Sequence, residues 1–211
     1  MPAIARRPTA RRATAADLDR TVDLALDAFA DEAVITWLIP EPTARRAYLE
    51  QTFSASVADA VRARLVVVAQ APGGRLTAAS FWQPRHQYDD ADPPSARDEQ
   101  AGPNTETSDD DGPTGARLAA LLEATGTRQP DVAHLHLSAM AALPDQRGRG
   151  SGSAMVAAGL KHAAELGLPV YLEASTPGSL RLYARHGFVS LGASIRLPDG
   201  GPTLQPMWRD A

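Results

Sequence analysis

The sequence contains no cysteine, so it offers no disulfide framework, no thiolate nucleophile and no cysteine metal site. Lysine is almost missing too. Lys161 is the single one among 21 basic residues, which reads as codon usage in a GC-rich genome and not as chemistry. A positive excess is absent: the net charge is -4 and the pI about 5.7. No long-range field is available to gather nucleic acid or an anionic membrane, and local arginines must do any anion binding. No apolar run approaches the roughly 20 residues that span a bilayer, and the Arg- and Ala-rich start lacks an apolar core followed by a cleavage site. The cytoplasm is the expected location. Aromatic residues are sparse at 5%, yet 44% of the 211 residues are hydrophobic, enough for one sizeable core and short for two. A single domain over residues 1–211 is expected.

Residues 4–13 suit a short first strand. Thr14 and Asp17 then give a capping-box-like start to a helix carrying Leu18, Val22, Leu24, Ala25, Leu26 and Phe29. A second helix is expected over residues 43–64, opened by Pro42 and carrying Ala47, Tyr48, Phe53, Val57 and Val61 at helical spacing. Residues 31–40, with Trp37 and Pro40, connect the two. The β-rich runs 65–69 and 76–82 flank Pro72-Gly73-Gly74 and read as a hairpin. Residues 84–115 break the pattern, with nine acidic residues between Asp89 and Asp111 and hardly an apolar side chain. Such a segment buries too little to offset its ordering entropy, so a mobile acidic insertion is expected there, as a solvated loop or a lid. Helical character returns at residues 117–123, a strand follows at 134–143, and a helix of small and apolar residues runs to Glu165 before Gly167 and Pro169. A strand at 170–174 and final strands at 194–197 and 203–208 complete the reading.

The most informative segment is Arg147-Gly148-Arg149-Gly150-Ser151-Gly152, set between a strand-like run and a helical pattern. Glycines let a backbone approach a ligand and turn its N–H groups toward one point, and a helix start adds partial positive charge there. A pyrophosphate suits such a turn. A nucleoside-triphosphate loop needs a Gly-Lys-Ser/Thr step that is missing here. A dinucleotide fold is a closer decoy, because Gly148, Gly150 and Ser153 approximate its spacing and Glu173 follows about 20 residues on. Its strand, however, should run straight into the first glycine, whereas Pro144-Asp145-Gln146-Arg147 intervenes and the motif sits in the last third of the chain.

Arg147, Gly150 and Gly152 match the Arg/Gln-x-x-Gly-x-Gly/Ala pattern of the GNAT (Gcn5-related) N-acetyltransferase superfamily. The strand before Pro144-Asp145, the turn, the helix, Val170-Tyr171-Leu172-Glu173-Ala174 and Leu182-Tyr183-Ala184-Arg185-His186-Gly187-Phe188 follow in that family's order. Residues 144–188 resemble the branch containing puromycin N-acetyltransferase. The resemblance implies an α/β protein of the α+β type: a mixed, mostly antiparallel, twisted sheet of about six to seven strands, flanked by helices and splayed between the fourth and fifth strands. It also implies acetyl-CoA as cosubstrate, no metal, and transfer of acetyl to a primary amine of a small molecule by direct attack in a ternary complex. A protein N-terminus or lysine as acceptor, and a non-catalytic CoA-binding module, are the alternatives. A monomer or homodimer, without nucleic-acid or membrane partners, is expected.

Residue by residue, the resemblance places the pantetheine arm along Met140, Ala141 and Ala142, with an amide N–H near Ala142 facing the developing oxyanion. The pyrophosphate falls on Arg147, Gly148, Arg149, Gly150, Ser151 and Gly152, with both arginine side chains adding charge-assisted hydrogen bonds. Ser179 stands where many relatives have an asparagine that bonds the cofactor arm. Tyr183 matches the tyrosine that protonates the departing sulfur. Glu173, inside an otherwise apolar strand, is either a base toward the amine or a structural acid paired to a neighbouring arginine. Phe29, Trp37 and Trp82 could line an acceptor pocket or belong to the core. His134 and His136 point to one face of a strand, with no third metal ligand placed by spacing and packing as the simpler role.

Overall fold

The computed structural model describes residues 8–86 and 112–211, apart from the side chain of Thr52. In chain order the elements are β1 (Thr9–Arg12), α1 (Leu18–Phe29), α2 (Ala33–Leu38), α3 (Pro42–Tyr48), α4 (Ser54–Arg62), β2 (Val66–Gln70), β3 (Leu76–Arg85), α5 (Pro113–Gly126), β4 (His134–Ala142), α6 (Ser151–Leu166), β5 (Val170–Ala174), α7 (Pro177–Arg185), β6 (Val189–Ser190), β7 (Ile195–Arg196) and β8 (Thr203–Arg209). Among the described residues no helix is long and apolar enough to cross a membrane.

One sheet runs in the order β1-β2-β3-β4-β5-β8-β6, with β7 paired to β8 off that path. Every pairing is antiparallel except β4 with β5. The parallel pairing covers only Leu135, Leu137 and the residue between them, against Val170, Tyr171 and Leu172. From Ser138 onward β4 has β3 on one edge and, among the described residues, no strand on the other, which is the expected splay between the fourth and fifth strands.

Two helical layers cover the sheet. On one face α1 and α4 pack a core that includes Phe29, Phe53, Val57, Val61 and Phe81. On the other, α6 and α7 bury Met155, Val156, Ala163 and Tyr183 against Trp82, Leu135 and Leu172. A β-bulge joins these facts. Phe81 pairs with Ala139 and Trp82 with Leu137, leaving Ser138 as the extra residue. The bulge reverses which face alternate β4 side chains reach. Leu135 and Leu137, then Met140 and Ala142, face α6, whereas Ala139 and Ala141 join the α1 side.

Several local expectations change. The helix read over 43–64 is α3 and α4 joined by a π-helical turn, Leu49–Phe53, whose wider winding keeps both Leu49 and Phe53 in the core. The connection holding Trp37 is the short helix α2, capped by Glu32, which accepts from the N–H groups of Val34 and Ile35 at 2.7 and 3.2 Å. Pro84 and Arg85 belong to β3, and Pro113 opens α5, so the acidic insertion is shorter than residues 84–115 at both ends. Its residues 87–111 lie outside the described residues.

The Thr14/Asp17 start is built as read, and more heavily. The buried Asp17 carboxylate accepts from the Thr14 N–H and hydroxyl, from Arg11 at 2.6 and 2.8 Å, and from Arg20 at 2.6 Å. Arg11 above all, and then Thr14, holds its pKa far below the usual carboxylate range. A depressed folded-state pKa stabilises the fold above the unfolded value of about 4, and this contribution fades as pH falls below it. Asp17→Asn is therefore expected to lower stability by about 2 kcal/mol at pH 7 in denaturant titration, with the difference from wild type shrinking below about pH 4.

Candidate active site

The glycine turn stands at the N-terminus of α6. Gly148 and Gly150 adopt φ of 72° and 95°, in the left-handed region that glycine supports without strain. A Cβ at either position would meet nothing within 4 Å, so both face open space. The N–H groups of residues 148–153 have no acceptor among the described residues, as the first turn of a helix requires for some of them. Together they form a row of donors at the start of α6, with the helix dipole behind it. The unpaired edge of β4, residues 138–142, leads away from this row along the splay. A pyrophosphate at the turn and an extended, amide-bearing arm along β4 fit these groups.

Side chains around the turn are mostly engaged elsewhere. Arg147 forms a two-pronged ion pair with Asp31 at 2.9 and 2.5 Å and donates to the Ala142 carbonyl at 3.2 Å. This pair raises the Arg147 pKa and lowers that of Asp31. Arg147 thus ties the turn to the α1–α2 link, while the Arg149 Nε is held by the Asp145 carbonyl at 3.1 Å. The Ser151 hydroxyl is buried against Thr77, which leaves its backbone N–H for a ligand. Ser153 bonds His186 at 2.7 Å and so ties α6 to the end of α7. Ser179, expected on the cofactor arm, lines the cavity described next but shares a reciprocal cap with Thr176. Its N–H donates to the Thr176 hydroxyl, and its own hydroxyl receives the Thr176 N–H.

A cavity of about 930 Å³ opens beside the splay. Phe29, Phe53 and Phe81, with ring centroids 5.2 to 5.8 Å apart, form one wall, and Leu118, Leu121 and Leu122 of α5 form another. Only Phe29 of the three expected acceptor-side aromatics is there. Trp37 is packed among Leu118, Ile195, Leu197 and Leu204, with its Nε1 donating to the Pro198 carbonyl at 3.0 Å. Trp82 lies on the opposite face of the sheet against Gly159 of α6. Both are core residues.

Tyr183 reaches this cavity from α7, fully buried, with its ring 5.8 Å from Phe188. Burial first, then the carboxylates of Glu32 and Glu173, raise its pKa well above that of a free phenol. Glu173 also lines the cavity, and its partner is a histidine where an arginine was considered: His136 Nε2 lies 3.0 Å from Glu173 Oε2. The other carboxylate oxygen is buried, and Tyr171 lies within hydrogen-bond reach of the carboxylate; burial first, and then this carboxylate, raise the Tyr171 pKa. Glu32 reaches in from the α2 cap, its second oxygen accepting from the Ser175 hydroxyl at 3.0 Å. His136 and Glu32 were missed as site residues. The common face of His134 and His136 was a usable signal for the first; nothing in the local pattern distinguished the second from other surface acids.

The model of the Acetyltransferase (GNAT) family matches residues 78–188, just over half of the chain and spanning β3 to the end of α7. Among solved structures, a histone acetyltransferase HPA2 and related acetyltransferase from Corynebacterium glutamicum is 25% identical, with 97% of each chain covered and a TM-score of 0.66. A polyamine N-acetyltransferase from Drosophila melanogaster is 20% identical, covering 97% of this chain and 100% of its own, with a TM-score of 0.69. Arylalkylamine N-acetyltransferase 2 from Aedes aegypti is 14% identical, covering 97% and 99%, with a TM-score of 0.66. The last two likenesses concern the fold alone.

Proposed function

Because the chain belongs to the GNAT acetyltransferase family and is an acetyltransferase, we propose that it transfers acetyl from acetyl-CoA to a primary amine of a small molecule, by direct attack within a ternary complex. The observation that carries this reading is the cavity of about 930 Å³ that meets the splayed β4 edge beside Tyr183 and Glu173. A cavity of this size, apolar on the phenylalanine and leucine walls and polar on the Glu32, His136 and Glu173 side, suits a small amine acceptor. The named relatives that act on polyamines and arylalkylamines point the same way.

Acetyl-CoA supplies the activated acyl group, and the chain does the rest. The N–H groups of residues 148–153 hold the pyrophosphate, with Arg149 at the edge, and the free β4 edge at Met140, Ala141 and Ala142 orients the arm. Backbone N–H groups there offer hydrogen bonds to the carbonyl oxygen as charge develops on it. Glu173, oriented by His136, receives the amine proton as the new C–N bond forms. Tyr183 gives its proton to the sulfur as the C–S bond breaks, and its raised pKa keeps that proton in place at neutral pH. On the charge and composition of the sequence we place the reaction in the cytoplasm, with a monomer or homodimer as the working unit.

The cofactor half of the proposal is tested at Gly150. A valine there would be strained at φ 95° and would project into the open space where the pyrophosphate is placed. Gly150→Val is expected to weaken acetyl-CoA binding by at least about 100-fold in calorimetry, on the loss of several charge-assisted bonds. Unchanged binding to a folded variant would remove the turn from the site.

A further inference from the structure

Three strands place six polar side chains on the sheet face that floors the cavity. Gln83 and Arg85 of β3 pair with His136 and His134 of β4, and Tyr171 of β5 pairs with His136 in turn, with Glu173 two residues on. Two buried ring nitrogens in this patch, His134 Nε2 and His136 Nδ1, have no hydrogen-bond partner among the described residues. Buried orphans of this kind are far from ordinary, since buried polar groups nearly always find a hydrogen bond.

Their chemistry is specific. His134 Nδ1 lies 2.7 Å from the Val132 carbonyl, an acceptor, so that nitrogen carries the proton and Nε2 presents a lone pair. Burial lowers the His134 pKa, which keeps the ring neutral. His136 Nε2 donates to Glu173 Oε2 at 3.0 Å. His134 Nε2 is thus left as a buried acceptor that calls for a donor. Glu173 and His136 serve the reacting amine in the reading above. His134 is not used by it, although it lines the same cavity with its ring centroid 6.4 Å from that of His136.

Resting on that reading, we propose that the acceptor carries, besides its acetylated nitrogen, a second hydrogen-bond donor, a hydroxyl or amino group, and that His134 Nε2 reads it. A site built to accept a substrate donor discriminates strongly against an analogue without one, because its buried acceptor then stays unpaired.

The test compares kcat/KM for aminobutanol, diaminobutane and pentylamine, three amines of similar length, by CoA release. At least one donor-bearing amine is expected to exceed pentylamine on the order of 10- to 100-fold in the wild-type protein. In His134→Leu that ratio should fall to near one, and in His134→Gln, which restores an acceptor oxygen, part of it should return. Equal use of all three amines by the wild type overturns the inference while leaving amine acetylation itself intact. An unchanged ratio in folded His134→Leu overturns the assignment to His134, and should that variant not fold, the His134→Gln ratio and the wild-type preference decide. No CoA release with any amine would instead count against the acetyltransfer reading.

Discussion

Replacing Tyr183 with phenylalanine is expected to lower turnover at least about 100-fold, equivalent to about 3 kcal/mol of barrier, while acetyl-CoA binding changes by no more than a few-fold. The substitution keeps the ring that packs against Phe188 and removes only the hydroxyl, so the core on the α6 face is preserved. That hydroxyl is held protonated by burial and by the nearby carboxylates of Glu32 and Glu173. Deprotonation of Tyr183 should therefore produce no falling alkaline limb in the pH–rate profile below about pH 10, the value for a free phenol. Glu173→Gln is the companion. As a proton acceptor its loss should lower turnover by at least about tenfold with little change in melting temperature. If Glu173 only anchors His136, stability should fall first, because one partner of a buried pair would be left alone. Near-wild-type turnover in Tyr183→Phe would mean that the thiolate leaves unassisted or takes its proton from another group.

The second large effect is on folding. Gly159→Ala is expected to destabilise the protein by at least about 2 kcal/mol, although alanine is the better helix former by about 1 kcal/mol. A Cβ at Gly159 would lie 2.0, 2.2 and 2.4 Å from three atoms of the Trp82 ring. That ring is fully buried, with its Nε1 donating to Ser80 Oγ at 2.9 Å, so it has nowhere to retreat. Either α6 lifts from the sheet, carrying the glycine turn at its N-terminus with it, or Trp82 leaves its rotamer. For a chain of this size the change corresponds to a drop in melting temperature of roughly 5 °C or more. Gly126→Ala is the control. A Cβ there meets nothing within 4 Å, so the helix preference alone should act. Equal melting temperatures for the two variants would show that α6 does not rest on Trp82.

Trp82 also shows where sequence reading stops. The run 76–82 identifies a strand by its β-branched and aromatic content, and the turn glycines fix the hairpin, because both signals are local. Which face each side chain reaches is not local. Phe81 lines the cavity while its neighbour Trp82 packs under α6, and choosing between them requires knowing which helices cover which face. The bulge at Ser138 compounds this by reversing the alternation along β4. The helix α2 and the strand β6 are too short, at six and two residues, to show a period. The turn, α6 and Tyr183 were legible because glycine, cap and aromatic positions follow one another in the chain. The Glu173–His136 pair was not, since its partners come from separate strands 37 residues apart.

Amine-dependent release of free CoA from acetyl-CoA, with the mass of the products determined in the same reaction, tests the central claim most directly. Release is expected to depend on a small primary amine, with the acetyl mass appearing on that amine and not on the protein. Release no faster than thioester hydrolysis across a broad panel of primary amines, or acetyl found on the protein alone, would contradict it.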